Sequence, residues 1–291
     1  MEIKQLKKIL DEFGDNVKFE YDLKKKSWFN IGGKSKVYYK ANNLVELVKF
    51  LKKLNNKEKI FILGAGSNTL INDKLFDGVV IKLSKNFNNI SLLGEDILIA
   101  GSAVLDKYLS DFAMNNNLSG LEFLSCIPGT IGGGIKMNAG CFGREFKDIL
   151  ISIQAIDKMG NVTTIPSKNI KFGYRKNNLS DDLIFLSASF KGIKGNRNAI
   201  IEKMNKLKVE KDKNQPTKIK TSGSTFKNPI SQTDKKVWEL IKESVPINKS
   251  FGDACISEKH HNFFVNKGHA KFEDMKNLID FVSKNVLEKT G

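Results

Sequence analysis

The sequence predicts an α/β (α+β) fold, and three observations carry that reading. The 291 residues suffice for two domains, or one large domain with an appendage, and 40% of them are apolar, enough for a sizeable core. Apolar residues recur at helical spacing in some segments and as short continuous runs in others, so helices and strands interleave. Glycine gathers where strands end. Six of the nineteen residues from Ser125 to Gly143 are glycine, interleaved with Ile127, Ile131, Ile135 and Met137 rather than with serine and charge. Such a run is not a spacer; it suits close backbone approach in a packed apolar setting, either a ligand against the main chain or a tight crossover between strands.

Taken in order, residues 2–13 read as an amphipathic helix ended by Gly14, and residues 27–33 lead into a strand at 36–40. Asn42 or Asn43 can cap a helix over 44–54, with Leu44, Leu47, Val48 and Leu51 on one face. The apolar run Ile60 to Leu63 is a short buried strand that enters Gly64-Ala65-Gly66-Ser67-Asn68, and a second strand covers 78–83. Strands at 89–93 and 96–100 precede a helix over 102–117, whose Leu105, Tyr108, Leu109, Phe112 and Ala113 share a face. Beyond the glycine run, strands at 149–157 and 161–165 flank a Met159-Gly160 turn, followed by a strand at 183–192 and a helix over 197–211. Gln215-Pro216 opens a last region with helices near 233–244 and 272–288 around a strand at 262–266.

Composition narrows the function. The formal charge is +16, yet only Arg144, Arg175 and Arg197 among the 48 basic residues are arginine. Scattered lysines with no stacking aromatics give a solvated surface rather than a nucleic-acid stripe. No run approaches a membrane span, and the lysine-studded N-terminus has no signal-peptide core, so a cytoplasmic protein is expected. Cys126, Cys141 and Cys255 lack metal-ligand spacing, and adjacent His260 and His261 on a strand point to opposite faces, so no metal site is expected.

Four motifs carry chemistry. The loop 64–68 leaves a buried strand with several backbone N–H groups facing one way, which suits a diphosphate, although it matches neither a Walker loop nor the dinucleotide fingerprint. Within the glycine run, Asn138-Ala139-Gly140 sets one polar side chain between small residues, suited to the edge of a ring. Phe172-Gly173-Tyr174-Arg175 places a rare arginine after an aromatic, where a guanidinium can clamp a carboxylate or stabilise an enolate; the alternative is a surface ion pair. The stretch Thr221 to Pro229 surrounds Gly223 with hydroxyl residues, of which Ser224 can give up a proton; the alternative is plain turn chemistry.

Their order along the chain resembles the UDP-N-acetylenolpyruvoylglucosamine reductase family. The matching elements are residues 29–33, 63–68, 127–133, 137–140 and 173–175, Gln215-Pro216, Gly223-Ser224 with Phe226-Lys227-Asn228-Pro229, and more weakly 257–263. The resemblance implies a two-lobed FAD-binding domain of the PCMH/vanillyl-alcohol-oxidase type and a smaller C-terminal α/β substrate-binding domain. On that basis residues 1–24 are an N-terminal helix and lead-in, 25–196 the FAD domain (lobes about 25–85 and 86–196), and 197–291 the substrate domain. FAD would be held non-covalently by Gly64, Ala65, Gly66, Ser67 and Asn68, with Pro128, Gly129, Thr130, Gly132, Gly133, Asn138, Ala139 and Gly140. NADPH would be the co-substrate. The implied reaction reduces UDP-N-acetyl-3-O-(1-carboxyvinyl)-glucosamine to UDP-N-acetylmuramate for peptidoglycan precursors, with hydride to C3 and a proton to C2. Arg175 would hold the carboxylate and stabilise the enolate, Ser224 would donate the proton, and Tyr174, Lys227 and Asn228 would contact the substrate. A monomer is expected.

One departure is visible. The family carries a further catalytic glutamate in a strand after the last helix, whereas here Lys289-Thr290-Gly291 offers no match and Glu288 falls within the helix. Either the sequence stops short of that strand or the protein lacks the glutamate; if it is cut short, flavin binding is expected to survive while turnover falls sharply. Short spacing between Arg175 and Ser224 favours the subgroup without an extra capping insertion. Two rivals remain at this stage: a related flavin oxidoreductase acting on an alcohol or hydroxy acid, and a lysine-rich nucleotide- or RNA-binding protein.

Overall fold

The computed structural model describes every residue except Met1 and Lys218. The chain divides into two compact units, and the division is not collinear with the sequence. The first holds the N-terminal residues up to Tyr21, Ser35–Ala65 and Asp77–Val209; the second holds Asp22–Lys34, Gly66–Phe76 and Glu210–Gly291.

In the first unit, α1 (Ile3–Leu10) and α2 (Leu44–Leu54) accompany a four-stranded sheet of β1 (Val17–Asp22), β2 (Lys34–Ala41), β3 (Ile60–Ile62) and β4 (Phe76–Leu83), in the order β1-β2-β4-β3. Asn43 caps α2 as expected, its side chain accepting from the Glu46 N–H at 2.9 Å. β3 and β4 pair in parallel, with Ile62 opposite Ile81.

The chain continues through β5 (Ile90–Leu93), β6 (Ile97–Gly101), α3 (Asp106–Asn115), β7 (Leu118–Ser119), α4 (Ile131–Lys136) and a hairpin of β8 (Gly140–Cys141) and β9 (Arg144–Glu145). Then come β10 (Leu150–Ile156), β11 (Val162–Pro166), a second hairpin of β12 (Phe172–Gly173) and β13 (Lys176–Asn177), β14 (Ile184–Lys191), β15 (Ile193–Lys194) and α5 (Arg197–Asn214). An antiparallel sheet runs in the order β11-β10-β14-β6-β5, while β7 pairs with β15. β14 serves two cores. Ile184 and Leu186 join the core beneath α1 and α2, whereas Phe185, Ala188 and Phe190 join the core that covers α3 and α4. The switch is a bulge: Ala155 pairs with Phe185 and Gln154 with Ser187, so Leu186 is the extra residue that exchanges the faces.

The second unit packs α6 (Val237–Ser244) and α7 (Phe272–Thr290) on a small antiparallel sheet, β16 (Ser250–Phe251), β17 (Ala254–Ile256) and β18 (Phe264–Asn266). Its core of Ile241, Ile256, Phe264, Met275 and Leu278 takes in Phe29 and Ile31 from early in the chain. Polar bonds complete the splice, since Asn266 Nδ2 donates to the Phe29 carbonyl at 2.9 Å and the Phe272 N–H donates to Asp73 at 2.7 Å.

Several sequence expectations change. The strand read as buried at 60–63 is partly open, with Phe61 42% exposed, and the strand expected at 262–266 begins at Phe264, so His260 and His261 lie outside it. The helix expected over 102–117 begins only at Asp106, because the backbone before it is engaged elsewhere. The carbonyls of Ser102 and Val104 accept from the Gly132 and Ile131 N–H groups at 3.0 and 2.9 Å, and a helix through 102–105 would withdraw them. The glycine run, read as close backbone approach to a ligand or a tight crossover between strands, contains α4. Glycine is required at 134 because a Cβ there would lie 2.3 Å from the Phe146 ring. The strand at β1 and the short hairpins had no signal strong enough to predict them.

Candidate active site

In the first unit, Gly64 lies against the glycine run: a Cβ at Gly64 would approach Thr130 Oγ1 to 2.7 Å. Leu105 and Thr130 form an antiparallel bridge, and the Asp106 N–H donates to the Gly129 carbonyl at 3.2 Å, so the end of β6 and the start of α3 hold the run in place. Pro128 and Gly133 are exposed, and Gly64, Ala65, Gly129 and Gly132 are partly so. Bare backbone at the surface beside Thr130 is what a flat or phosphate-bearing group requires.

Sequence reasoning missed Lys82. It follows Ile81 on β4, beside the end of β3, and its Nζ donates to the Gly64 carbonyl, which places a cation at the loop. One lysine among so many carries no signal; only the parallel pairing of β3 and β4 singles it out. Glycine backbone, a hydroxyl and a cation together fit the diphosphate and ring of a flavin dinucleotide.

Asn138 behaves differently from the reading of it as a group for a ring edge. It is only 3% exposed, with φ +41°, and its side chain is spent within the protein. Nδ2 donates to Glu145 at 2.9 Å and to the Gly173 carbonyl at 3.3 Å, while Oδ1 accepts the Lys147 N–H at 3.0 Å. Behind the run, Asp106 is fully buried and neither carboxyl oxygen has a partner among the described residues. Burial holds its pKa well above the usual carboxylate range.

Tyr174 and Arg175 form the two-residue turn of the β12–β13 hairpin, and Arg175 takes φ +54°. Its guanidinium carbon sits 5.9 Å from the centre of the Tyr174 ring, the range of a cation–π contact.

The second unit carries the remaining residues. At Gly66, φ is +71° and a Cβ would fall 1.9 Å from the Lys26 carbonyl oxygen, so this glycine serves the close passage of the 26–28 backbone. Ser67 is half-buried and Asn68 exposed. Ser224 is half-buried, follows Gly223 at φ +81°, and bridges antiparallel to Phe263. Asn262, 3% exposed, acts as a surrogate strand for the same segment. Its Oδ1 accepts the Phe226 N–H at 2.9 Å, its Nδ2 donates to the Phe226 carbonyl at 3.0 Å, and its carbonyl accepts the Thr225 N–H at 2.8 Å. Asn228 Oδ1 accepts the Val237 N–H at 3.0 Å at the start of α6, and Lys227 is exposed.

Among the described residues, no three His, Cys, Asp or Glu side chains are grouped to hold a metal, and no helix is long and apolar enough to cross a membrane.

A family model described as an FAD binding domain matches residues 35–166, and one described as the UDP-N-acetylenolpyruvoylglucosamine reductase C-terminal domain matches residues 215–291. A UDP-N-acetylenolpyruvoylglucosamine reductase of Pelagibacter ubique (strain HTCC1062) is 65% identical over 291 residues, all of this chain and 96% of the relative. The Rickettsia typhi (strain ATCC VR-144 / Wilmington) protein of the same name is 45% identical, over 94% of this chain and 92% of its own. In three dimensions the chain matches the crystal structure of the Thermus caldophilus UDP-N-acetylenolpyruvylglucosamine reductase with a TM-score of 0.80 at 29% identity, over 92% of this chain and 94% of that one. Phl p 4.0202, a glucose dehydrogenase, shares the fold alone over 67% of this chain and 44% of its own, with a TM-score of 0.51 at 10% identity. The α+β flavoprotein fold is thus the one the sequence predicted, and the chain belongs to the UDP-N-acetylenolpyruvoylglucosamine reductase family, as an FAD-dependent oxidoreductase.

Proposed function

We propose that this chain reduces the enolpyruvyl ether of UDP-N-acetylglucosamine to UDP-N-acetylmuramate for peptidoglycan synthesis, with NADPH as the electron source. The observation that carries it is 65% identity over all 291 residues to a reductase of that name, combined with an arginine at a hairpin turn.

The flavin, when bound, supplies the hydride for C3 of the enolpyruvyl group. Its binding residues are read as Gly64, Ala65, Gly66, Ser67 and Asn68, with Pro128, Gly129, Thr130, Gly132, Gly133, Ala139 and Gly140, and with Lys82 as a cation for the diphosphate. Asn138 supports this set from within, by ordering the backbone around it. Arg175 binds the substrate carboxylate with a planar fork and stabilises the negative charge that builds on its oxygens as C3 gains hydride. Ser224 Oγ delivers the proton to C2, completing the saturated lactyl ether. Tyr174 braces the guanidinium, and Lys227 and Asn228 meet the nucleotide portion. The protein is read as a cytoplasmic monomer; sedimentation as a dimer at micromolar concentration would overturn the second part.

The test is NADPH oxidation at 340 nm by flavin-loaded protein, with and without UDP-N-acetylenolpyruvoylglucosamine. Oxidation that depends on this substrate and yields UDP-N-acetylmuramate supports the reading. Oxidation indifferent to the substrate would refute it.

A further inference from the structure

The hairpin that carries Arg175 cannot hold itself. Its strands are two residues each, paired only through Phe172 with Asn177 and Gly173 with Lys176. Isolated two-stranded ribbons are marginal even when longer. Arg175 at φ +54° adds strain, because a side chain with a Cβ disfavours that region. Something outside the hairpin must fix the turn.

That anchor is Asn177, which no motif had singled out. Its Nδ2 donates to the Ile135 carbonyl at 3.0 Å and to the Lys136 carbonyl at 3.1 Å. Its Oδ1 accepts the Leu179 N–H at 3.0 Å, so the whole amide is engaged. Ile135 and Lys136 are the last two residues of α4, where helix carbonyls run out of intrahelical donors; Asn177 bonds the Lys136 carbonyl and shares the Ile135 carbonyl with the Asn138 N–H at 3.1 Å. Three further contacts link the same segments, donated from the other side. Asn138 Nδ2 reaches the Gly173 carbonyl at 3.3 Å, and Lys136 Nζ reaches the Leu179 carbonyl at 3.2 Å and Asp181 at 2.6 Å. The end of the glycine run and the arginine turn are therefore laced together, with Asn177 supplying bonds from the hairpin strands.

We propose that Asn177 is a positioning residue for the reduction: it docks the Arg175 turn on the end of α4, so that the guanidinium is registered against the glycine run. This rests on the reading of Arg175 as the carboxylate ligand. The chemistry of the clamp is specific. Bonding both carbonyls from one side chain takes two donors; serine offers one, and aspartate would set a negative oxygen against both.

The experiment compares Asn177→Ala, Asn177→Asp, Asn177→Ser, Arg175→Ala and the Arg175→Ala/Asn177→Ala double variant as flavin-loaded proteins. Asn177→Ala is expected to lower kcat between about ten- and a hundredfold and raise KM for the enolpyruvyl substrate, since small misplacements of a binding group cost that much. FAD affinity and the rate of flavin reduction by NADPH alone should not change. Asn177→Ser should recover part of the loss, Asn177→Asp none. The double variant should be no slower than Arg175→Ala. Normal turnover in Asn177→Ala beside a crippled Arg175→Ala would overturn this proposal alone. A parallel loss of FAD affinity, or losses that multiply in the double variant, would also overturn it by showing a general structural role. Undiminished turnover in Arg175→Ala would instead remove the reading on which it rests.

Discussion

The segments around Arg175 and Ser224 solve one problem by different means. Both are irregular backbone, and both are pinned by asparagine side chains whose amides take the place of a neighbouring strand or a helix end. They differ in where the strain sits. Arg175 itself adopts φ +54°, whereas Ser224 leaves the positive φ to Gly223, at +81°. The arginine must occupy the tip of its turn to present its fork, so the residue with the chemistry bears the strain. The serine needs only its hydroxyl, and a glycine beside it absorbs the bend. Their surroundings differ too: burial raises the pKa of Asp106 behind the glycine run, and lowers that of His260 behind the Ser224 segment.

The largest expected effect belongs to the hydroxyl. Ser224→Ala should cut turnover by roughly a thousandfold, within the range for a lost proton donor, while flavin reduction by NADPH keeps its rate. Stopped-flow separation of the two half-reactions checks this, and equal slowing of both would show that Ser224 supports the fold rather than the proton.

Arg175→Asn should come next, with a loss of about 10²- to 10³-fold in kcat/KM. Because asparagine accepts positive φ more readily than arginine, its melting temperature should hold or rise. Loss of both activity and stability would break the contrast between a strained arginine and a relaxed serine.

Asn262→Ala removes both bonds to Phe226 and should destabilise the second unit by about 1–3 kcal/mol, read by chemical denaturation. The same network predicts a pH response. His260 Nδ1 accepts the Asn262 N–H at 3.2 Å, which requires the unprotonated ring, and burial depresses the pKa of this histidine. A depressed folded-state value means the stabilisation is present above the unfolded value of about 6.5 and is lost as pH falls through the folded value. Protection of the amides around Phe226 from exchange should therefore fall as the pH drops below the unfolded value of about 6.5, and His260→Gln should blunt that change.

The smallest effect is expected at Asp106, and its sign is opposite. A raised folded-state value gives stability that is present in acid and lost as pH rises. Asp106→Asn mimics the neutral acid, so it should melt higher than the parent near neutrality. Below about pH 4 the two should converge. An equal gap at both pH values would mean that this carboxyl does not titrate as its burial implies.

Sequence alone carried the local structure well where signals were strong. Asn43 and the spacing of Leu47 and Leu51 fixed α2, and Met159-Gly160 fixed the β10–β11 turn, with Gly160 at φ +91°. Residue order along the chain was enough to reveal the family. The helix start at Asp106, α4 inside the glycine run and the partners of Asn138, Asn177 and Asn262 were not legible, because each depends on a backbone or ring brought from far along the chain. The same holds for the splice that takes residues 22–34 and 66–76 into the unit built from 210–291. Local propensity and motif chemistry act within a few residues, so the sequence determined the elements, the family and the kinds of groups at the site. Tertiary structure decided which carbonyl each buried amide satisfies, because a buried polar group must find its partner in space.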